Sequence, residues 1–104
     1  MVKVKSYKKH LLKQLHDPEE AAAYLNAALQ DDDSHSFLLA LRDIAEAQGG
    51  MSQLAEESEL NRENLYRTLS IRGNPRFFNL LAILDAFGLE VSIHAKRKQR
   101  RARA

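Results

Sequence analysis

Two arginines and a tyrosine in the second half of the chain have the types and spacing to bind DNA. Arg62, Tyr66 and Arg67 lie on the polar side of a short segment whose leucines recur at helical spacing. An arginine guanidinium can donate two parallel hydrogen bonds to guanine, or it can bind a phosphate. The spacing therefore predicts a helix whose outer side chains enter the major groove of a DNA duplex.

Residues 51–70 predict the two short helices and the intervening turn of a helix-turn-helix. Ala55 is the small residue required where the two helices cross. Glu59 occupies the turn position usually held by glycine, where a left-handed backbone costs any other residue about 1 kcal/mol. The apolar anchors beneath the two helices are Leu54, Leu60, Leu65 and Leu69.

The candidate DNA-binding residues lie at the starts of these two helices and on the outer face of the second. Free backbone amides at a helix start can bind a phosphate, whereas outward side chains of the second helix can meet base edges. An ordinary helical hairpin with a solvated charged face has the same pattern, so both interpretations stay open at this point. The candidates are Ser52, Gln53, Asn61, Arg62, Glu63, Asn64, Tyr66 and Arg67.

The elements around this segment predict an all-α fold, a bundle of five to six helices with one short C-terminal strand. Asp17-Pro18 is a helix-start signal, and Gly49 and Gly88 are helix-stop signals. A single domain is predicted for residues 1–95. Its parts are N-terminal helices within 8–30, a helical core within 36–88 and a strand over 89–94, followed by a basic tail over 96–104.

The predicted strand also indicates how two copies could associate. Leu89, Val91 and Ile93 alternate with polar residues, as in a half-buried strand. A lone strand leaves its backbone hydrogen-bonding groups unpaired. The same strand of a second copy is the obvious partner, so we expect a homodimer with these three residues at its interface.

Composition narrows the possible functions. The 104 residues include no cysteine, which excludes disulfides and thiolate chemistry. The four histidines are scattered, and no catalytic triad, nucleophile elbow or phosphate loop is present. We therefore predict no enzyme, no metal and no cofactor. The sequence also has neither a signal peptide nor an apolar run that could span a bilayer, so a cytoplasmic protein is expected.

The charge is unevenly distributed along the chain. Residues 1–59 carry six Lys or Arg and eleven Asp or Glu, a net charge of −5. Residues 60–104 carry ten Lys or Arg and three Asp or Glu, a net charge of +7. A polyanion such as DNA would be attracted to the second half, and the basic tail could follow a phosphate backbone.

Five blocks, in this order, match a known family: DPEEAAAYLNAAL at 17–29, ALRDIAEA at 40–47, GGMSQLA at 49–55, RENLYR at 62–67 and GNP at 73–75. On these blocks the chain resembles the addiction-module antidote family, the HigA-like antitoxins with a lambda-repressor-type helix-turn-helix. The departures are Glu59 at the usual glycine, Asn79 where the family often has threonine, and the basic tail.

The resemblance implies two linked activities. Such a protein neutralises a small toxin, typically a RelE-like ribonuclease, and binds the operator of its own operon, usually as a dimer. The outer face of the second helix would then contact bases, and Ser52, Gln53 and Asn61 would contact phosphates. Two alternatives remain: a phage-type regulator without a toxin, and a protein-interaction module that no longer recognises DNA.

Overall fold

Six helices make up the part of the chain that the computed structural model describes, residues 2–31, 33–70 and 73–97. They are α1 (Val2–Leu15), α2 (Pro18–Leu29), α3 (Ser34–Ala47), α4 (Gly50–Ser58), α5 (Arg62–Thr68) and α6 (Phe77–Ala86). The all-α class is confirmed. Within the described ranges, no helix combines the length and the apolar character needed to cross a membrane.

Local capping interactions determine where several helices begin. The Asp17 carboxylate accepts a hydrogen bond from the Glu19 amide at 3.2 Å, and Pro18 is the first residue of α2. The Asp33 carboxylate accepts from the His35 amide at 3.0 Å, so α3 begins at Ser34, earlier than the predicted residue 36. The predicted start of the first helix at residue 8 is wrong, because α1 begins at Val2 and no glycine or proline in that segment opposes a helix.

The helix α3 lies at the centre of the bundle, in contact with α1, α2 and α4, and α4 in turn contacts α5 and α6. The side chains buried in the bundle are all apolar, and every described helix contributes to the same core. No polar or charged residue is buried among the described residues. The core consists of Leu15, Ala21, Leu25, Leu38, Ala40, Leu41, Ile44, Ala45, Leu54, Leu65, Leu69, Ile83, Leu84 and Phe87.

One polar contact joins α2 to α3 at the edge of this core. The Tyr24 hydroxyl donates a hydrogen bond to the Asp43 carboxylate at 2.8 Å. Burial, with a further contribution from this hydrogen bond to Asp43, raises the pKa of Tyr24 to about 12. The hydroxyl therefore stays protonated at neutral pH and acts as the donor in this contact.

The predicted C-terminal strand over 89–94 is not formed in the single chain. The Leu89 amide bonds back to the Leu84 carbonyl at 2.9 Å, but between Glu90 and Arg97 the backbone groups make no hydrogen bond within the described residues. A strand requires a neighbouring strand to complete its ladder of hydrogen bonds, and one copy of this chain offers none here. The predicted basic tail lies mostly outside the described residues.

Candidate nucleic-acid interface

The helices α4 and α5 form a hairpin that is held to the core from beneath. Three of the predicted anchors, Leu54, Leu65 and Leu69, are at most 3% exposed. The other two inward residues, Leu60 and Ala55, are partly buried and pack against the same core. The predicted inner face of this hairpin is therefore confirmed, and its orientation follows from leucine burial.

The turn between the two helices has the conformation expected from the sequence. Glu59 has φ 61° and ψ 25°, the left-handed region, and among the described residues other than glycine it alone has a positive φ. The Ser58 hydroxyl stabilises the turn, since it donates to the Leu54 carbonyl at 2.7 Å and accepts from the Leu60 amide at 3.3 Å. Glutamate at this position stores strain that a glycine would not have.

Replacing Glu59 by glycine is expected to raise the free energy of unfolding by about 0.5–1 kcal/mol. The relief of left-handed strain, about 1–2 kcal/mol, exceeds the entropy that glycine adds to the unfolded chain, about 0.4–1 kcal/mol. Urea unfolding followed by circular dichroism measures the change. Glu59→Gln removes the charge but retains the strain, so its stability should equal that of the wild type; a Glu59→Gly protein no more stable than this control would contradict the explanation.

Asparagines order the first turn of α5. The Asn61 side-chain oxygen accepts a hydrogen bond from the Asn64 amide at 3.1 Å, which confirms Asn61 as the cap. The Asn64 side-chain oxygen in turn accepts from the Arg67 guanidinium at 3.2 Å. Both carboxamide groups therefore position the backbone and side chains of α5, and their NH₂ groups remain available as donors.

The outer face of α5 projects away from the core. Arg62, Glu63, Tyr66 and Arg67 are all exposed, and 52% of Tyr66 is accessible to solvent. The guanidinium carbon of Arg62 lies 5.9 Å from the centre of the Tyr66 ring, a cation–π contact that orders both side chains. The structure thus brings the predicted base-contacting residues together on one accessible surface.

The start of α4 lies close to this surface. It begins at Gly50, so Ser52 is not the cap that the sequence indicated; Gly49 takes that position with φ 114° and provides no side-chain hydrogen bond. The first amides of α4 consequently have no side-chain acceptor and remain able to bind an anion. Ser52 and Gln53 are exposed there, and the Gln53 amide donates to the Glu57 carboxylate at 2.8 Å.

A depression of about 490 Å³ lies between α3 and these two helices. Of the residues that line this α3–α5 depression, the sequence analysis identified Tyr66 but not the cationic Arg42 on α3. A signal for it was present, since Arg42 is the one arginine or lysine between residues 16 and 59. The lining residues are Arg42, Ala45, Glu46, Gly50, Met51, Tyr66 and Ser70.

The predicted dimer residues lie away from this surface, at a second, apolar groove. This α2–α6 groove has a volume of about 710 Å³, and Leu89 and Val91 are among its lining residues. Ile93 follows them and is 92% exposed. Other large apolar side chains around it are also more than half exposed, namely Leu29, Phe77 and Phe78. So much exposed apolar surface in one region is typical of an interaction site.

Comparisons with known proteins support the antidote-family part of the resemblance noted from the sequence blocks. The family described as "probable addiction module antidote protein" matches residues 5–95. A protein of Haemophilus influenzae, described as uncharacterized, is 40% identical over 83 residues, which are 80% of this chain and 84% of that protein. No solved structure gives a significant match. The matched range spans the α4–α5 hairpin and both grooves, and the chain belongs to the probable addiction module antidote family.

Proposed function

We propose that this chain is an antitoxin of the HigA-like kind, which neutralises a small toxin and represses its own operon by sequence-specific DNA binding. Membership in the antidote family supports the antitoxin role. The observation that carries the DNA-binding role is the exposed, ordered outer face of α5 above buried leucines. Both roles are binding activities in the cytoplasm, and we propose no catalysed reaction and no cofactor.

The α4–α5 hairpin acts in this proposal as a lambda-repressor-type helix-turn-helix. The outer face of α5 enters the major groove, where Arg62, Tyr66 and Arg67 meet base edges and Glu63 and Asn64 lie beside them. The amides at the start of α4, with Ser52, Gln53 and Asn61, bind the flanking phosphates. The free first-turn amides of α4 and the outward arginines of α5 support this division of roles.

The toxin in this proposal is a small basic protein of the RelE-like ribonuclease class. Residues 16–59 carry eleven acidic residues against Arg42, so the middle of the chain is strongly negative. A basic partner would be attracted to this part of the protein, which raises the rate of association and favours correct orientation. The eight acidic residues within 16–49, outside the α4–α5 hairpin, offer this partner a region distinct from the outer face of α5.

Two copies of the chain pair in this proposal through residues 89–93. Leu89, Val91 and Ile93 supply one apolar face, and the unpaired backbone beyond Leu89 supplies the hydrogen bonds of an added strand. The pairing would bury Ile93 and complete the ladder that one copy cannot form. A two-fold axis there would present two α5 helices to successive major grooves of a palindromic operator.

Replacing Ile93 by glutamate is expected to convert the dimer to a monomer. The interface would then bury two unpaired carboxylates, one from each copy. The free energy of association should become less favourable by about 3 kcal/mol or more, which raises the dissociation constant of the dimer at least about 100-fold. Sedimentation equilibrium measures the change. Ala23→Glu is the matched control for the added charge, because Ala23 is exposed and does not line the groove, and it should leave the dimer intact; equal effects of the two changes would refute pairing through this face.

The test of the function uses the wild-type protein and its genomic neighbourhood. We expect a gel shift with the duplex from upstream of the gene, resistant to competition by a scrambled duplex of the same length. We also expect the product of the neighbouring gene to co-purify with the chain. DNA binding without a co-purifying protein would indicate a phage-type regulator. A co-purifying protein without DNA binding would indicate a protein-interaction module. If neither were observed, the proposal would be refuted.

A further inference from the structure

The helix α1 is strongly basic, although the first half of the chain as a whole has a net negative charge. It contains five lysines and no acidic residue. The rest of that half, residues 16–59, has eleven acidic residues and a single arginine or lysine, Arg42. The first half of the chain is therefore a basic helix followed by an acidic segment, and the position of α1 decides which partner meets its charge.

Two contacts place α1 next to the proposed DNA-binding surface. The Lys8 ammonium lies 3.3 Å from the Glu46 carboxylate, and Glu46 lines the α3–α5 depression together with Tyr66. Directly after the C-terminal end of α1, the His16 ring nitrogen lies 3.2 Å from the Ala47 carbonyl, just before the turn that leads into α4. α1 thus packs along α3, and Lys8 brings its positive charge to the margin of the α3–α5 depression.

We infer that Lys8 of α1 and Arg42 of α3 form a second phosphate-binding surface, which contacts the DNA backbone beside the base pairs that α5 meets. The inference rests on the proposed DNA binding and extends it to residues that do not belong to the α4–α5 hairpin. Arg42 lies within the α3–α5 depression, and Lys8 lies at its margin. Both are long cationic side chains on helices packed into the core, so a phosphate passing over the depression meets charges held by a rigid support.

The ion pair between Lys8 and Glu46 is compatible with this role. Its two side chains are 54% and 53% exposed, and an ion pair in such contact with water is weak. Lys8 can therefore exchange the carboxylate for a phosphate at little cost. Glu46 itself repels DNA, which predicts that its removal has the opposite effect to removal of Lys8 or Arg42.

The test measures DNA affinity as a function of salt for Arg42→Gln, Lys8→Gln and Glu46→Gln in the full chain, with the upstream duplex and a scrambled duplex. Each lost phosphate contact should reduce the slope of log K against log salt by about 1 and weaken binding to both duplexes alike. Glu46→Gln should bind both more tightly. Ala23→Glu is the matched control for net charge, since Ala23 is exposed on α2 and is not among the residues that line the α3–α5 depression.

The outcomes separate this inference from the proposed function. Reduced slopes for Arg42→Gln and Lys8→Gln, with an unchanged slope for Ala23→Glu, support the second surface. An unchanged slope for Arg42→Gln or Lys8→Gln, or an equal reduction of the slope in Ala23→Glu, overturns the second surface. The proposed function still stands in that case if the wild-type protein prefers the upstream duplex. Wild-type protein without that preference overturns both.

Discussion

Replacing Arg62 or Arg67 by alanine is expected to weaken binding to the operator by about 1–3 kcal/mol each, or about 5- to 150-fold, if the arginine contacts a guanine. Both side chains are exposed, Arg62 near the Tyr66 ring and Arg67 in hydrogen-bonding distance of the Asn64 side chain. Removal of either guanidinium deletes the group that would donate two hydrogen bonds to a guanine. Fluorescence anisotropy with a labelled upstream duplex, at constant salt, measures the loss.

Lysine substitutions distinguish base recognition from simple charge attraction. Lysine retains the positive charge of Arg62 or Arg67 but lacks the planar fork that donates two parallel hydrogen bonds. If the arginine recognises a guanine, Arg→Lys should lose most of the preference for the upstream duplex and retain binding to a scrambled one. Full rescue of that preference by lysine would show that the residue contacts only phosphate. Unchanged affinity in both alanine variants would remove the DNA-binding role from α5.

Replacing Leu65 by alanine is expected to lower the free energy of unfolding by about 2–5 kcal/mol. Leu65 is 1% exposed and lies beneath α5, so its truncation leaves a cavity where the helix meets the core. A small domain has only about 5–15 kcal/mol of stability in total. The variant should therefore unfold at much lower urea concentration, and DNA affinity should fall with the folded fraction.

The same substitution at an exposed leucine provides the control. Leu39 on α3 is 54% exposed, so Leu39→Ala should change the free energy of unfolding by no more than about 0.5 kcal/mol. Leu65→Met, which retains most of the volume, should cost less than about 1.5 kcal/mol. If Leu65→Ala were no more damaging than Leu39→Ala, the leucine would not anchor α5, and the orientation of the outer face would need another explanation.

Features that depend on neighbouring residues along the chain were predicted well. Asp17 and Asn61 cap helices through hydrogen bonds to amides two or three residues away, so their role is visible in the local sequence. The leucine periodicity likewise predicted the inner face of the α4–α5 hairpin, since the helical repeat determines which residues share a side. The left-handed turn at Glu59 followed from the spacing of the same hairpin.

Features that depend on distant parts of the chain could not be predicted in this way. The contact between the His16 ring nitrogen and the Ala47 carbonyl, 3.2 Å apart, is an example, because the two residues are separated by 31 positions in the chain. The strand over 89–94 was expected from alternation, but alternation cannot show whether a pairing partner exists within one copy. In the proposed dimer, that partner is the same segment of the second copy.

The sequence by itself determined the helical class, the leucine-lined inner face and the outward arginines of α5, because these follow from a short repeat and local hydrogen bonds. Only the tertiary structure decided that Arg42 lines the depression beside Tyr66 and that Lys8 reaches Glu46 at its edge. The first half of the chain has a net negative charge, yet packing of α1 against α3 places a lysine beside this depression. The interaction between two charges depends on the distance between them in the folded chain. For residues far apart in the sequence, that distance is determined by which apolar faces pack together.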